Sequence, residues 1–531
     1  MTNHPAGEAG NRRLGQLALT VALLCGALIS APLHAQDLGG GLGGGTVQAT
    51  GDGVGIGSNA GGGSQADFSQ IMQLVQTTIE PETWEALGGP STMFPYPAGI
   101  YVDASGTIQD VNTPIAENVA ADLKVMLARG SVGSVTVDAD DPDAWRYPSA
   151  MRCVSLRRLL AKYAQRRVEQ NPSTEAMLHL AGLSKIQFVH FSDDDVILAG
   201  PVGGIDDGQG HLRDRGTGLS TIRLDGLAGC FAATAGHRGF GCSIDPTQAG
   251  LQNAMQVAAS LQNGKSPMGT AAKKLGEAVG LQDVRIFGVN SDSSLAWLMV
   301  EADRHMKQLA LGEHPMPDGV SNYLDQIENH IDRGLPTDLL LRLWFASSPM
   351  SARQSEDGSI VELAGRSIRL SGQNEMAVAN GQRGLITRDV RSVAFVEEFN
   401  RHWTAIRSEY PIYGSLESVF HSAAVAELIH RRVEQEQDRA SATAQIVAAF
   451  SAIASSDQHG FAPPKQVETL AVSHEFRHGR QRHQVVVASG GVTVMPEQSL
   501  KTTVSTYRPL NSLPSPVKKQ PADVTRWWWN G

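Results

Sequence analysis

Between Phe287 and Gly312 the chain reads FGVNSDSSLAWLMVEADRHMKQLALG, and no other stretch narrows the fold as much. Leu295, Leu298, Met299, Ala302, Met306 and Leu309 recur at three- and four-residue steps, which puts them on one face of an α-helix. Asp292 or Ser293 is a suitable N-cap, because a short side-chain oxygen accepts an amide hydrogen left free at a helix start. Gly312 closes the run. Asp303 and Lys307, four apart in the favourable order, are expected on the solvated side. Just upstream, Val284, Ile286 and Val289 alternate with Arg285 and break at Gly288, the pattern of a short strand entering a loop. Strand, capped loop and amphipathic helix recur along the chain and predict an α+β fold, mixed sheets packed against amphipathic helices.

The 531 residues, 41% hydrophobic and 18% charged, suffice for two or more cores. With 44 basic and 54 acidic residues the formal charge is -10, so no general attraction to nucleic acid is expected. Arg12 and Arg13 precede an apolar run from Leu14 to Ile29, and Leu33-His34-Ala35 offers a small-residue cleavage site before Gln36. That is the pattern of a secretory signal peptide over residues 1–35, cleaved after Ala35, with the periplasm or the exterior as destination. No other run approaches the roughly 18 apolar residues that span a bilayer, so an integral membrane protein is not expected.

Residues 36–66 are mostly glycine and read as a flexible linker. A small α/β segment follows over 67–145: a helix carrying Phe68, Ile71, Met72, Val75 and Ile79, a strand at Ile100-Tyr101-Val102, and a second helix from Pro114 to Ala128. The main region, 146–496, is divisible into two lobes near 320–340. In it, Ile186 to Phe191 and Val196 to Ala199 flank Asp193-Asp194-Asp195 as a hairpin. Pro201 to Gly218 reads as a long loop, and Asp245-Pro246 as the cap and first position of a helix. Ile360 to Leu363 and Ser367 to Leu370 read as a hairpin turning at Gly365. Phe395 to Ile406 and Leu416 to Leu428 form a helical pair parted by Pro411. Residues 497–531 are a proline-rich tail ending Trp527-Trp528-Trp529-Asn530-Gly531.

Four features bear on chemistry. His474-Glu475-Phe476-Arg477-His478 spells H-E-x-x-H, which on a helix presents two zinc ligands, His474 and His478, with Glu475 as general base. Here Leu470, Val472, His474 and Phe476 alternate, Gly479 follows at once and Val485-Val486-Val487 comes next, so a hairpin is expected instead. In a strand the two imidazoles would stand roughly 13 Å apart, too far to share one ion. Cys230 and Cys242 either pair in an oxidising compartment or remain buried thiols. Arg157, Arg158, Lys162 and Arg166 lie on the outward face of a helix over Ser155 to Glu169, a surface that could meet an anionic envelope partner or simply be solvated. The three tryptophans of the tail either dock on a partner or membrane surface or fold back on their own domain.

Taken together, MRCVSLRRLL (Met151 to Leu160), LAGLSKIQFVHFSDDDVILAGP (Leu180 to Pro201), GCSIDP (Gly241 to Pro246), Phe287 to Gly312, Trp344-Phe345, Tyr410 to Ile429 and Ala488 to Val492 resemble a family of exported bacterial proteins with a domain of unknown function. The family is common in planctomycete-type bacteria, and the resemblance covers about 151–496. Asp67 to Gly106 separately resembles a short segment of other large exported proteins of such bacteria. The resemblance implies export and a shared fold, and neither catalytic residues nor a cofactor. Cys153 departs from the family pattern. Two classes of function follow: a non-enzymatic binding or structural component of the envelope or exterior, or a hydrolase, for which a zinc peptidase using the HEFRH stretch is the nameable case.

Overall fold

The computed structural model describes residues 92–96, 99–103, 141–208, 211–235, 239–262, 270–333, 340–377, 383–387, 389–438, 440–456, 462–476, 482–501, 503–512 and 520–531, all within one unit, Phe68–Gly531. The leader, the glycine-rich linker and the two helices expected within 67–145 lie outside the described residues.

A hairpin of β1 (Thr92–Tyr96) and β2 (Gly99–Asp103) includes the strand expected at Ile100 to Val102. Then come β3 (Ser149–Ser155), α1 (Leu156–Val168), α2 (Glu175–Leu178), β4 (Phe188–Ser192), β5 (Asp195–Val202), β6 (Ile205–Gly208), β7 (His211–Asp214) and α3 (Leu224–Thr234). Next are β8 (Phe240–Pro246), α4 (Gln248–Gln262), α5 (Ala271–Val279), β9 (Gln282–Phe287), α6 (Ser294–Ala310) and α7 (Tyr323–Asn329). The chain continues through β10 (Leu340–Ser347), β11 (Ser351–Gln354), β12 (Ile360–Ala364), β13 (Ile368–Ala377), β14 (Arg383–Thr387), α8 (Val390–Arg401), α9 (Trp403–Glu409), α10 (Pro411–Glu436) and α11 (Ala442–Ser456). Last are β15 (Gln466–Val467), β16 (Ala471–Phe476), β17 (Arg482–Val494), β18 (Ser505–Thr506) and β19 (Trp528–Asn530).

The fold is α+β, as the periodicities predict. An eight-stranded sheet runs β14-β13-β10-β17-β8-β9-β15, with β16 also on β17, and a seven-stranded sheet runs β18-β11-β12-β4-β5-β3-β19. Pairing is antiparallel except for β10 with β17 and β11 with β18. Along β10, Leu341, Leu343 and Phe345 join the main core, while Leu340 faces a second cluster with Leu275 and Val487 beneath α4 and α5. Phe345, Phe395, Phe399, Trp403 and Tyr413 pack with ring centroids 5.8 to 6.2 Å apart, tying β10 to α8, α9 and α10.

α6 is the helix read from Phe287 to Gly312. Ser293 is its N-cap, accepting from the Ala296 amide at 3.2 Å, and its apolar stripe lies across β17 and β8. α10 packs on its other side. It begins with Pro411 at its first turn and is buried on every side from Leu416 to His430. A helix walled in this way needs apolar or small residues around its whole circumference, and Ala423 to Ala426 supply them. Gly241, Gly490 and Gly491 stand where β8, β10 and β17 come so close that a Cβ would strike the Val492, Leu343 and Cys242 carbonyls respectively.

Several expectations are corrected. The stretches 360–363 and 367–370 do not pair: β12 joins β11 and β4, whereas β13 joins β10 and β14, so Gly365 marks a crossing between sheets. Asp245 and Pro246 end β8, and Thr247 bonds the α4 start through Gly250 at 3.0 Å. The stripe at 395–406 is split at His402 into α8 and α9. Within the stretch read as a loop, Ile205–Gly208 and His211–Asp214 pair as the antiparallel strands β6 and β7.

Candidate functional site

The first finding on α6 overturns an expectation. Asp303 is 0% exposed and Lys307 4%, so the pair read as solvated is inside the protein. Lys307 Nζ lies 2.7 Å from Asp303 Oδ2. The carboxylate sits under Gly490 and Gly491 of β17, where the absence of side chains leaves room for it and the Gly491 amide points at it. Burial pushes the Asp303 carboxyl upward, against the opposing pull of the Lys307 cation and the Gly491 amide. Desolvating two ions costs several kcal/mol each, and apolar residues of similar volume would serve the fold as well. That cost makes the pair a candidate for more than packing.

Around it lie further titratable groups. Burial raises the Cys242 thiol and the Tyr413 phenol, and the Asp303 charge raises both further. Tyr413 Oη and His305 Nδ1 share a hydrogen bond of 2.8 Å, and the His305 ring stacks on His314 at 4.8 Å. Burial, with His314 second, pushes His305 down to about 4. Beside Lys307 a cavity of about 220 Å³ opens between α6, β9 and the segment joining β15 to β16, with Gln282, Arg304, Glu313 and Glu468 in its walls.

At the other end of α6 lies a larger cleft of about 460 Å³ between α3, α6 and α10. Trp297, 43% exposed, stands among its walls with Leu227, Leu298 and Val419. Arg223 and Asp225 meet in a two-pronged pair, Nε to Oδ1 at 2.9 Å and Nη2 to Oδ2 at 2.8 Å. Ser294 Oγ donates to Asp225 at 2.9 Å and the Gly226 amide donates at 2.9 Å. Burial alone would raise Asp225; Arg223, Ser294 and Gly226 together hold it below the usual carboxylate value. Thr221, Ser415, Ser418 and Ser422 add hydroxyls, and Asp225 also borders an adjoining cleft of about 420 Å³ with Asn290 and Ser293.

The candidates read from sequence fall elsewhere. His474 and Glu475 lie on β16, paired with β17, so the local backbone is the extended one their alternation predicts; His478 lies outside the described residues. Among the described residues no group of three metal-ligating side chains converges. Cys230 on α3 and Cys242 on β8 are separate buried free thiols, so the pairing weighed from sequence is not made. Both are held in the packed main core. Of the basic face, Arg157 pairs with Asp194 at 2.7 Å, and Arg158 donates to the carbonyls of Pro521, Asp523 and Arg526 at 3.3, 2.9 and 3.2 Å. Lys162 donates to Gln165 at 3.2 Å and Arg166 to the Pro172 carbonyl at 2.7 Å.

Arg158 therefore grips the tail, which folds back on its own domain. β19 pairs with β3, and Trp529 is buried with Cys153, Phe188 and Ile197. Arg152, fully buried, donates to Asn530 Oδ1 at 2.6 Å and to the carbonyls of Trp145 and Tyr147 at 2.9 and 3.0 Å, with its guanidinium 4.5 Å over the Trp528 ring. Sequence reasoning missed this role of Arg152; its single signal was a charge inside an otherwise apolar strand.

The geometry defines an α+β protein with clefts at both ends of one central helix. Residues 242–323 match a family described as a protein of unknown function (DUF1598), a span from within β8 to the start of α7. It carries Gln282, Trp297, Asp303, His305 and Lys307, and it supports part of the longer resemblance read over 151–496. No curated protein and no solved structure matches the chain.

Proposed function

We propose that this is an exported, non-enzymatic binding protein of the cell envelope or exterior, whose ligand is a sugar-like ring held in the cleft between α3, α6 and α10. One observation carries the reading: a half-exposed indole, Trp297, bounds the same 460 Å³ cleft as the Arg223–Asp225 pair and several hydroxyls. A hydroxylated ring has an apolar face that suits an indole and a polar rim that suits a planar ion pair. Export is supported by the arrangement of Arg12, Arg13, the apolar run to Ile29 and Ala35. A planctomycete-type source fits the longer resemblance. The hydrolase alternative finds little support, because His474, Glu475 and Phe476 lie in strand β16 and not on a helix.

Titration with a panel of mono- and oligosaccharides, followed by calorimetry and tryptophan fluorescence, tests the site. Saturable binding lost in Trp297→Ala and weakened in Asp225→Asn is expected. A folded protein that binds none of the panel, or binds equally well in both variants, would sink the proposal. N-terminal sequencing of the protein recovered from periplasm or medium should start at Gln36.

A further inference from the structure

We infer that the outer face of the eight-stranded sheet is a second binding surface, for a linear polysaccharide that carries carboxylates. Along β10, Leu341, Leu343 and Phe345 join the main core, so Trp344 and Ala346 stand on the opposite face. α4 and α5 cover the end of that face that holds Leu340 and Val487. Beyond them the strand registers place five strands side by side. Trp344 on β10 is level with Gly491 on β17, Ser243 on β8 and Arg285 on β9. In the adjoining row, Phe287 on β9 is level with Gly241, Thr493 and Ala346, and Arg369 on β13 ends it. At about 4.8 Å between strands each row is about 19 Å across. Phe287 is 38% exposed, Arg285 and Arg369 are exposed, and Trp344, Ser243 and Thr493 are half-buried, so a ligand lying on the face can touch each of them.

A sheet face that meets water alone alternates polar residues with the buried ones. This face instead presents an indole and a phenyl ring beside a shallow hollow of about 300 Å³, floored by Gly491 and edged by Ser243 and Thr493. Its charge is positive. Neither row contains an acid, and among the described residues the side chains of Arg285 and Arg369 make no ion pair or hydrogen bond. Asp283, one row further along β9, is engaged by Gln466 at 3.0 Å. On a chain of formal charge -10 such a patch selects an anionic partner. Carboxylates answer the two arginines, the apolar faces of sugar rings lie on Trp344 and Phe287, and hydroxyls meet Ser243 and Thr493. A nucleic-acid strand suits the face less well, because its affinity comes from neutralising many phosphates and two unpaired cations on an acidic chain supply few.

The test is calorimetric titration of the full chain, at about 0.15 M salt so that loose ionic attraction is screened, with polygalacturonate, uncharged dextran and a single-stranded oligothymidylate. Polygalacturonate should bind saturably and at least about tenfold more tightly than either of the others. Arg285→Ala with Arg369→Ala alters exposed positions alone and so tests the charge in a folded protein; it should weaken polygalacturonate at least about tenfold. Phe287→Ala and Trp344→Ala should each weaken it as well. Trp297→Ala should leave it intact, which separates this face from the α3–α6–α10 cleft. A folded chain that does not bind polygalacturonate, or binds dextran or the oligonucleotide as tightly, would overturn the inference. So would polygalacturonate binding that ignores the double arginine variant or disappears in Trp297→Ala.

Discussion

Lys307 Nζ lies 2.7 Å from Asp303 Oδ2, and the two charges are shut in beneath the paired glycines of β17. Lys307→Met leaves a buried carboxylate without its counter-ion, which should lower unfolding free energy by about 3–5 kcal/mol. Asp303→Asn combined with Lys307→Met removes both charges and should recover most of that loss. Urea denaturation of the single and double variants measures the difference.

Cys153, Cys230 and Cys242 should be silent to thiol reagents in the folded protein. All three thiols are buried; burial pushes Cys153 up to about 12 and the other two higher still, so little thiolate exists at neutral pH. A colorimetric thiol assay should find none of the three reactive in buffer and all three reactive in denaturant.

The bond from Arg152 Nε to Asn530 Oδ1 at 2.6 Å can be cut with little change of shape by Asn530→Ala. Hydrogen bonds to charged groups contribute about 1.5–3 kcal/mol, and a loss in that range should appear in chemical denaturation. Arg152→Leu should cost more, because it also orphans the carbonyls of Trp145 and Tyr147.

Acid should weaken the fold through buried histidines. His421 is fully buried on α10 with Nε2 3.0 Å from the Ile186 carbonyl, and burial, then Lys185, pushes it down from 6.5 to about 4, against the weaker pull of Glu417. The unfolded chain thus binds more protons between these two values. Stability is complete above about pH 6.5 and is lost as pH falls toward 4. The contribution of His421 to that loss is about 3 kcal/mol, and His421→Gln should flatten the pH profile of unfolding free energy by a similar amount.

Much of the architecture was legible because period alone decides it. The α6 stripe, its Ser293 cap, the β4–β5 hairpin and the extended backbone at His474 and Glu475 all follow from local spacing. What was not legible depends on partners distant in the chain. A polar pair at i and i+4 looks solvated until β17 arrives with two glycines to cover it, and residues 360–370 look like a hairpin until β4 and β10 claim one strand each. The site suffers most from this limit. The walls of the Lys307 cavity come from α6, from Gln282 and from residues 467–471, segments whose nearness no periodicity encodes.

The pairing of β19 with β3 also dictates an order in time. Arg152 and Asn530 are 378 positions apart, so the outer edge of β3 stays open through the synthesis of nearly everything between them. Closing so long a loop comes late and slowly. The sheet can therefore be completed only after the last residues of the chain have been made.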